Sequence, residues 1–153
     1  MITVVKSTVQ HFQDIEIQEY QQSCREHIKL NPNYAKILCE QGTSYTGIDE
    51  QGRIIGMMGL LFRHENCAEG WAILSPYVKQ NLKSVVKAVR KVMKDNERVR
   101  RIYCTVATNF PEAHRLVRAF GFKPEGILEK WDQFGMDHVM YTIIHNDIHW
   151  ELI

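Results

Sequence analysis

The densest concentration of chemically active side chains in the sequence is cationic. Between residues 79 and 101 stand Lys79, Lys83, Lys87, Arg90, Lys91, Lys94, Arg98, Arg100 and Arg101, opposed only by Asp95 and Glu97. Such a run attracts phosphates and other anions, and its distal part reads as the solvated face of a helix. No aromatic residue is interleaved with these cations, so stacking on nucleic-acid bases is not expected. Thiols and imidazoles offer less. Cys24, Cys39, Cys67 and Cys104 form no Cys-x-x-Cys pair, which points away from a zinc knuckle or a disulfide framework and toward reduced thiols. His145 and His149 are four apart but lie in or beyond a final strand, where that spacing builds no helical metal face; no metal site is expected. Cys104 and His114 would make a thiol nucleophile only if something oriented them together, and a buried strand cysteine is the expected role of Cys104.

The elements that must position these groups can be read from periodicity and turn chemistry. Ile2 to Val5 is a β-branched run, and Thr8 offers a cap to a helical segment carrying Phe12, Ile15, Tyr20 and Cys24. Asn31 before Pro32 opens a second helix, Tyr34 to Gln41, ending near Gly42. Ser44 to Ile48 and Arg53 to Leu61 flank Asp49-Glu50-Gln51-Gly52, a hairpin turn whose glycine can take positive φ. Glu65-Asn66 makes another turn, and Ala68 to Leu74 is a strand closed by Ser75-Pro76. Leu82, Val85, Val86, Val89, Val92 and Met93 fall at steps of three and four and predict a helix to about Asn96. Arg101 to Thr108 reads as a strand, Pro111 to Phe120 as a helix stopped at Gly121, and Ile127 to Trp131 with Val139 to Ile144 as a last strand pair around Asp132-Gln133-Phe134-Gly135.

A chain of 153 residues, 44% hydrophobic and 24% charged, suits one globular domain spanning 1–153. Its formal charge of +1 excludes a uniformly basic nucleic-acid coat and an acidic disordered tail. The opening Met1-Ile2-Thr3-Val4-Val5-Lys6 carries no leader pattern, and no stretch approaches the roughly 18 apolar residues of a membrane helix. A cytoplasmic protein that spans no membrane is the expectation. The strand-helix-strand unit from Ala68 to Thr108 predicts one parallel pair within a mostly antiparallel sheet. Ligands settle where two such strands splay at their C-terminal ends.

This element order resembles the GCN5-related N-acetyltransferase (GNAT) family over nearly the whole chain. The run Asn109-Phe110-Pro111-Glu112-Ala113, continuing through the helix to Gly121-Phe122-Lys123-Pro124-Glu125-Gly126, is similar to the family's Asn, alanine and helix before Gly-Phe-x-x-Glu-Gly. The stretch Leu74 to Ser84 lies where the family writes a proline, then Arg or Gln, then x-x-Gly-x-Gly or Ala. Lys79 keeps the cation there, but Leu82 and Ser84 replace the two small residues. The replacement matters physically, because a diphosphate is held by successive backbone N–H groups at a helix N-terminus, and glycines let it approach closely.

The resemblance implies an α+β fold with a mostly antiparallel central sheet, one splayed parallel pair and helices on both faces. It implies acetyl-coenzyme A as the acyl donor, held in the cleft between Ala68–Leu74 and Arg101–Thr108. Backbone amides near Ile73 and Leu74 would pair with the pantetheine arm, residues Lys79, Gln80, Asn81, Leu82, Lys83 and Ser84 would hold the diphosphate, and Asn109 would touch the cofactor or cap the helix that Pro111 opens. Glu69 matches the family's general base. Strand alternation groups Glu69 with Trp71 and Ile73, an apolar setting expected to raise its pKa and favour proton abstraction. The tyrosine that many members carry four residues before the glycine of Gly-Phe is Val117 here, leaving His114, one turn earlier, to stand in as acid, with Tyr103, Tyr141 and Cys104 as other donors.

The expected function is therefore direct acetyl transfer to a primary amine on a small molecule or a protein, with a homodimer compatible and nucleic acid not expected as a partner. The competing expectation is a GNAT-shaped protein that acts by binding a partner. Leu82 and Val117 favour it, and the Ala68-Glu69-Gly70-Trp71 layout, with Asp137-His138-Val139-Met140-Tyr141, is similar to short GNAT-like proteins of bacteriophages, some of them virion components.

Overall fold

The computed structural model of the chain describes residues 1–18, 21, 26, 28 and 31–145. The elements run β1 (Thr3–Lys6), α1 (Val9–Asp14), α2 (Pro32–Glu40), β2 (Gly42–Ile48), β3 (Ile54–His64), β4 (Cys67–Leu74), a 3-10 turn (Pro76–Asn81), α3 (Leu82–Asp95), β5 (Arg101–Ala107), α4 (Pro111–Ala119), β6 (Lys123–Leu128) and β7 (His138–Ile144). The strands form one mixed seven-stranded sheet of order β1-β2-β3-β4-β5-β7-β6. Its parallel pair is β4 with β5, in the register Cys67↔Arg101, Ala68↔Ile102 and Glu69↔Tyr103. Pairs β1–β2, β2–β3, β5–β7 and β6–β7 are antiparallel. The expected fold class is the observed one. No helix of the described residues is long and apolar enough to cross a membrane. By its internal contacts the chain divides into two compact units, Met1–Phe62 with Gly70–Val89, and Arg63–Glu69 with the described chain from Arg90 onward.

In the first unit, Thr8 caps α1 as its sequence suggests. The His11 amide donates to the Thr8 hydroxyl at 3.3 Å, and the Thr8 amide donates to His11 Nδ1 at 3.1 Å, a reciprocal box in which a histidine takes the usual glutamate's part. The helix is short because Ile15 is already extended; Tyr20 and Cys24 lie outside the described residues. The β2–β3 turn closes through Asp49, whose carboxylate accepts from the Gln51 and Arg53 amides and from Arg53 Nε, while Gly52 takes φ +79°. The core gathers Phe12, Ile15, Ala35, Leu38, Met57 and Ile73, with Trp71 packed against it. Trp71 lies against β3 at Gly59, where a side chain would displace it. A Cβ there would stand 2.6 Å from Trp71 Cζ2 and 2.5 Å from the Thr43 carbonyl oxygen.

In the second unit, Ile102, Val106, Phe110, Leu116, Phe120, Phe122 and Tyr141 are buried. The sequence misplaces one strand here. β6 begins at Lys123 rather than Ile127 and ends before Trp131. Pro124 and Gly126 are residues that disfavour a strand interior, but β6 is the last strand of the sheet, where a missing N–H costs no ladder bond, and the register shift falls between those two residues. Trp131 belongs instead to a tight loop in which Asp132 accepts from the Phe134 and Met136 amides and pairs with His138 Nε2 at 3.0 Å. Along α3, Val85, Val89, Val92 and Met93 are buried as their spacing predicts, whereas Leu82, which begins the same spacing, is 45% exposed.

Candidate functional site

The end of β4 is built by one hydroxyl. Ser75, fully buried, donates its hydroxyl to the Ile55 carbonyl at 2.8 Å and accepts from the Tyr77 amide, while its own amide donates to the same Ile55 carbonyl. β4 is thereby tied to β3 at the point where the chain turns into Pro76–Asn81. That 3-10 turn runs directly into α3, so the expected phosphate loop is helical backbone, with Leu82 at φ −53° and ψ −46°. Lys79, Gln80, Leu82 and Lys83 are exposed, and Asn81 and Ser84 are half-buried. Asn81 donates to the Tyr77 carbonyl at 3.1 Å. Farther along, part of the basic run is engaged within the chain: Arg90 donates to the Ala119 carbonyl, Lys91 pairs with Asp95, and Arg101 grips Glu125 through both terminal nitrogens. That grip holds the Glu125 carboxyl below the usual range.

Two glutamines reach the backbone of this strand end. The Gln21 carboxamide accepts from the Leu74 amide at 2.8 Å and donates to the Ala72 carbonyl at 2.9 Å. The Gln18 amide donates to the Leu74 carbonyl at 3.1 Å, and its side chain donates to the Ser75 carbonyl at 3.0 Å. Neither glutamine is singled out by any pattern in the sequence.

Glu69 stands in the second unit, directly opposite Tyr103 in the parallel register. The setting differs from expectation. Alternation does group Glu69 with Trp71 and Ile73, but the carboxylate is paired with the Arg63 guanidinium at 2.5 Å, and the Tyr103 hydroxyl donates to it at 3.4 Å. Arg63 Nε donates in turn to the Tyr103 oxygen at 2.9 Å, closing a three-membered cluster. The bonds to Tyr103 and then Glu69 push the Arg63 guanidinium further up, so its charge is fixed. The apolar base setting is thus replaced by a polar one. Arg63 was legible in principle, because the Glu65-Asn66 turn returns the chain past it.

His114 is likewise not the free acid the sequence suggested. Its Nε2 lies 2.8 Å from the Ala107 carbonyl, which can only accept, so that nitrogen carries the proton. Nδ1 then accepts from the buried Tyr141 hydroxyl at 2.7 Å. Both nitrogens tie α4 to β5 and β7. Neither partner is Cys104, whose thiol is pushed up to about 12 by burial, with the charge of Glu69 adding to the effect. A thiol so protonated is no nucleophile at neutral pH. Asn109 is exposed in the turn after β5, and the residue at the N-cap of α4 is Phe110, so the capping role expected of Asn109 is corrected. His149 lies outside the described residues, and His145 Nδ1 is bonded to the Val99 carbonyl at 2.6 Å. A separate surface hollow of about 390 Å³ is lined by His11, Asp14, Glu16, Arg53 and Tyr77, among others. Its polar groups are already partnered, with Tyr77 donating to Glu16 and Arg53 lying over the Tyr77 ring.

A profile of the Acetyltransferase (GNAT) family matches residues 9–122. The chain belongs to that family. GNAT acetyltransferases take acetyl-CoA as substrate. A search of curated proteins found no match. Among solved structures, the fold is similar to a presumed phosphinothricin N-acetyltransferase at a TM-score of 0.76 and 9% identity, covering 96% of this chain and 100% of that one. It is also similar to the phosphinothricin acetyltransferase of Sinorhizobium meliloti in complex with AcCoA, at 0.68 and 15%, covering 95% and 89%. A third likeness is to variant forms of the spermidine/spermine N-acetyltransferase SpeG of Vibrio cholerae, at 0.66 and 18%, covering 95% of each chain.

Proposed function

We propose that this chain, working as one GNAT-like domain in the cytoplasm, transfers the acetyl group of acetyl-CoA to a primary amine by direct attack. The observation that carries this reading is the family match, which spans both the β4-to-α3 junction and α4. In the proposed reaction the amine nitrogen attacks the thioester carbonyl, the C–S bond breaks, and coenzyme A leaves as the thiolate. Glu69 takes the proton released from nitrogen, directly or through a water. The thiolate is a tolerable leaving group, so orientation of the amine supplies much of the rate without a dedicated acid from α4. Backbone groups at Leu74 and Ala72 orient the pantetheine arm, in place of those expected at Ile73, whose carbonyl lies against Gly56 of β3, and residues Lys79 to Ser84 hold the diphosphate with the dipole of α3 behind them. Asn109 is proposed as a further contact to the donor. Structural neighbours named for phosphinothricin and spermidine support a small amine as acceptor.

A second reading is favoured by the Glu69–Arg63 pair, which occupies the proposed base with a cation. In it the chain retains the fold and acts by binding a partner, as a virion-associated protein of a phage would. Isothermal titration with acetyl-CoA separates the two. Micromolar binding that is lost in a Lys79→Glu, Ser84→Glu double variant supports the enzyme and justifies an acceptor screen. No heat, together with a melting temperature unchanged at saturating acetyl-CoA, overturns it in favour of partner capture.

A further inference from the structure

We infer that the chain occupies its own donor seat: the Gln21 carboxamide sits on the backbone groups of β4 that an extended amide-bearing ligand would read, and it must withdraw before that ligand binds. The inference rests on the proposed donor site and adds a competitor to it.

The argument begins with strand alternation. The Ser75 amide donates to Ile55 of β3, and the Ile73 carbonyl lies against Gly56 of β3, so the polar groups of residues 73 and 75 face that neighbour. Backbone groups of successive residues point to opposite edges of a strand. Ala72 and Leu74 therefore present theirs on the edge turned away from β3. A ligand that lies along a strand edge is held by such a donor and acceptor two residues apart. Gln21 reads both at once, accepting from the Leu74 amide at 2.8 Å and donating to the Ala72 carbonyl at 2.9 Å. Gln18 takes the next two acceptors, the Leu74 and Ser75 carbonyls. A primary amide is the side-chain group closest in chemistry to the two amides of a pantetheine arm, since it offers a neutral donor and a neutral acceptor.

The consequence is an affinity reduced by the fraction of chains in which Gln21 is withdrawn. The test is titration of the full chain with acetyl-CoA, comparing the natural sequence with Gln21→Ala and with Gln21→Met, which keeps the bulk but loses both hydrogen bonds. Melting temperatures check that each variant is folded. Amide exchange at Leu74, followed by NMR, is the second readout. Both variants are expected to bind about fivefold more tightly, the gain when the closed form holds about four-fifths of the population. Leu74 exchange should be faster in the free variants and slow again on saturation. Equal or weaker binding by the variants, while the natural chain binds, overturns the competitor and leaves the donor site standing. Tighter binding that leaves the Leu74 amide unprotected overturns the shared seat. Absence of binding by all three chains overturns the donor site, and the competitor with it.

Discussion

The two halves of β4 hold candidate chemistry of different kinds. At Glu69 the groups are side chains, an acid, a guanidinium and a phenol that satisfy one another. From Ala72 to Ser75 the groups are backbone, with an N–H and carbonyls that take whatever amide is presented. Backbone groups come with the strand whatever the sequence, whereas a side-chain site is remade by each neighbour. Of the two proposed roles, donor binding is accordingly the more robust, and proton abstraction the more easily lost.

The largest effect that would sharpen this contrast is on Glu69. Glu69→Gln is expected to lower kcat/KM about 100-fold while leaving the Kd for acetyl-CoA unchanged, as removal of a general base does. Steady-state kinetics beside calorimetry would read both numbers, and unchanged turnover would remove Glu69 from the mechanism. Next comes the Lys79→Glu, Ser84→Glu double variant, for which the donor Kd should weaken by at least about tenfold with kcat at saturation little altered, the signature of lost uniform binding. A retained Kd would move the diphosphate away from α3.

A smaller effect lies in the packing. Gly59→Ala drives a methyl into the Thr43 carbonyl and the Trp71 ring, and chemical denaturation should register a loss of about 1–3 kcal/mol. If stability is unchanged, Trp71 has another place to lie. The smallest effect is titration of stability. The Cys104 thiol has a folded pKa raised to about 12, against an unfolded value near 8.5. Its contribution is therefore fully present below about pH 8.5 and fades as pH rises toward 12. Glu125 has a depressed folded pKa from Arg101, so its contribution is present above about pH 4.3 and is lost as acid takes the pH below that. Melting curves across pH should bend at both ends, the alkaline bend weakening in Cys104→Ala, where the raised Tyr77 phenol still contributes, and the acid one weakening in Arg101→Met.

Most elements were legible because their signals are local. The steps of three and four along Val85, Val89, Val92 and Met93, the Asp49-to-Gly52 turn and Pro111 each report on neighbours a few residues away. β6 was misread because edge position, which alone makes Pro124 acceptable in a strand, is a property of the sheet. The candidate site was half legible for the same reason. Glu69 could be found in its strand and Arg63 across the Glu65-Asn66 turn, but Tyr103 joins them only through the parallel pairing of β4 with β5. Gln21 depends on a contact 53 residues away and leaves no local trace. His114 looked available because its two partners, Ala107 and Tyr141, arrive from different strands.

Pro124 and the irregular register beside it have one more consequence. A sheet that ended in a regular strand at β6 would offer a row of hydrogen-bonding groups to any other chain, with Ile127, Trp131 and Phe134 exposed nearby to add apolar attraction. The proline withholds one N–H from that row, and the shift between Pro124 and Gly126 breaks its spacing. Fibre-like stacking of one molecule's sheet onto the next is discouraged at the margin where it would otherwise begin.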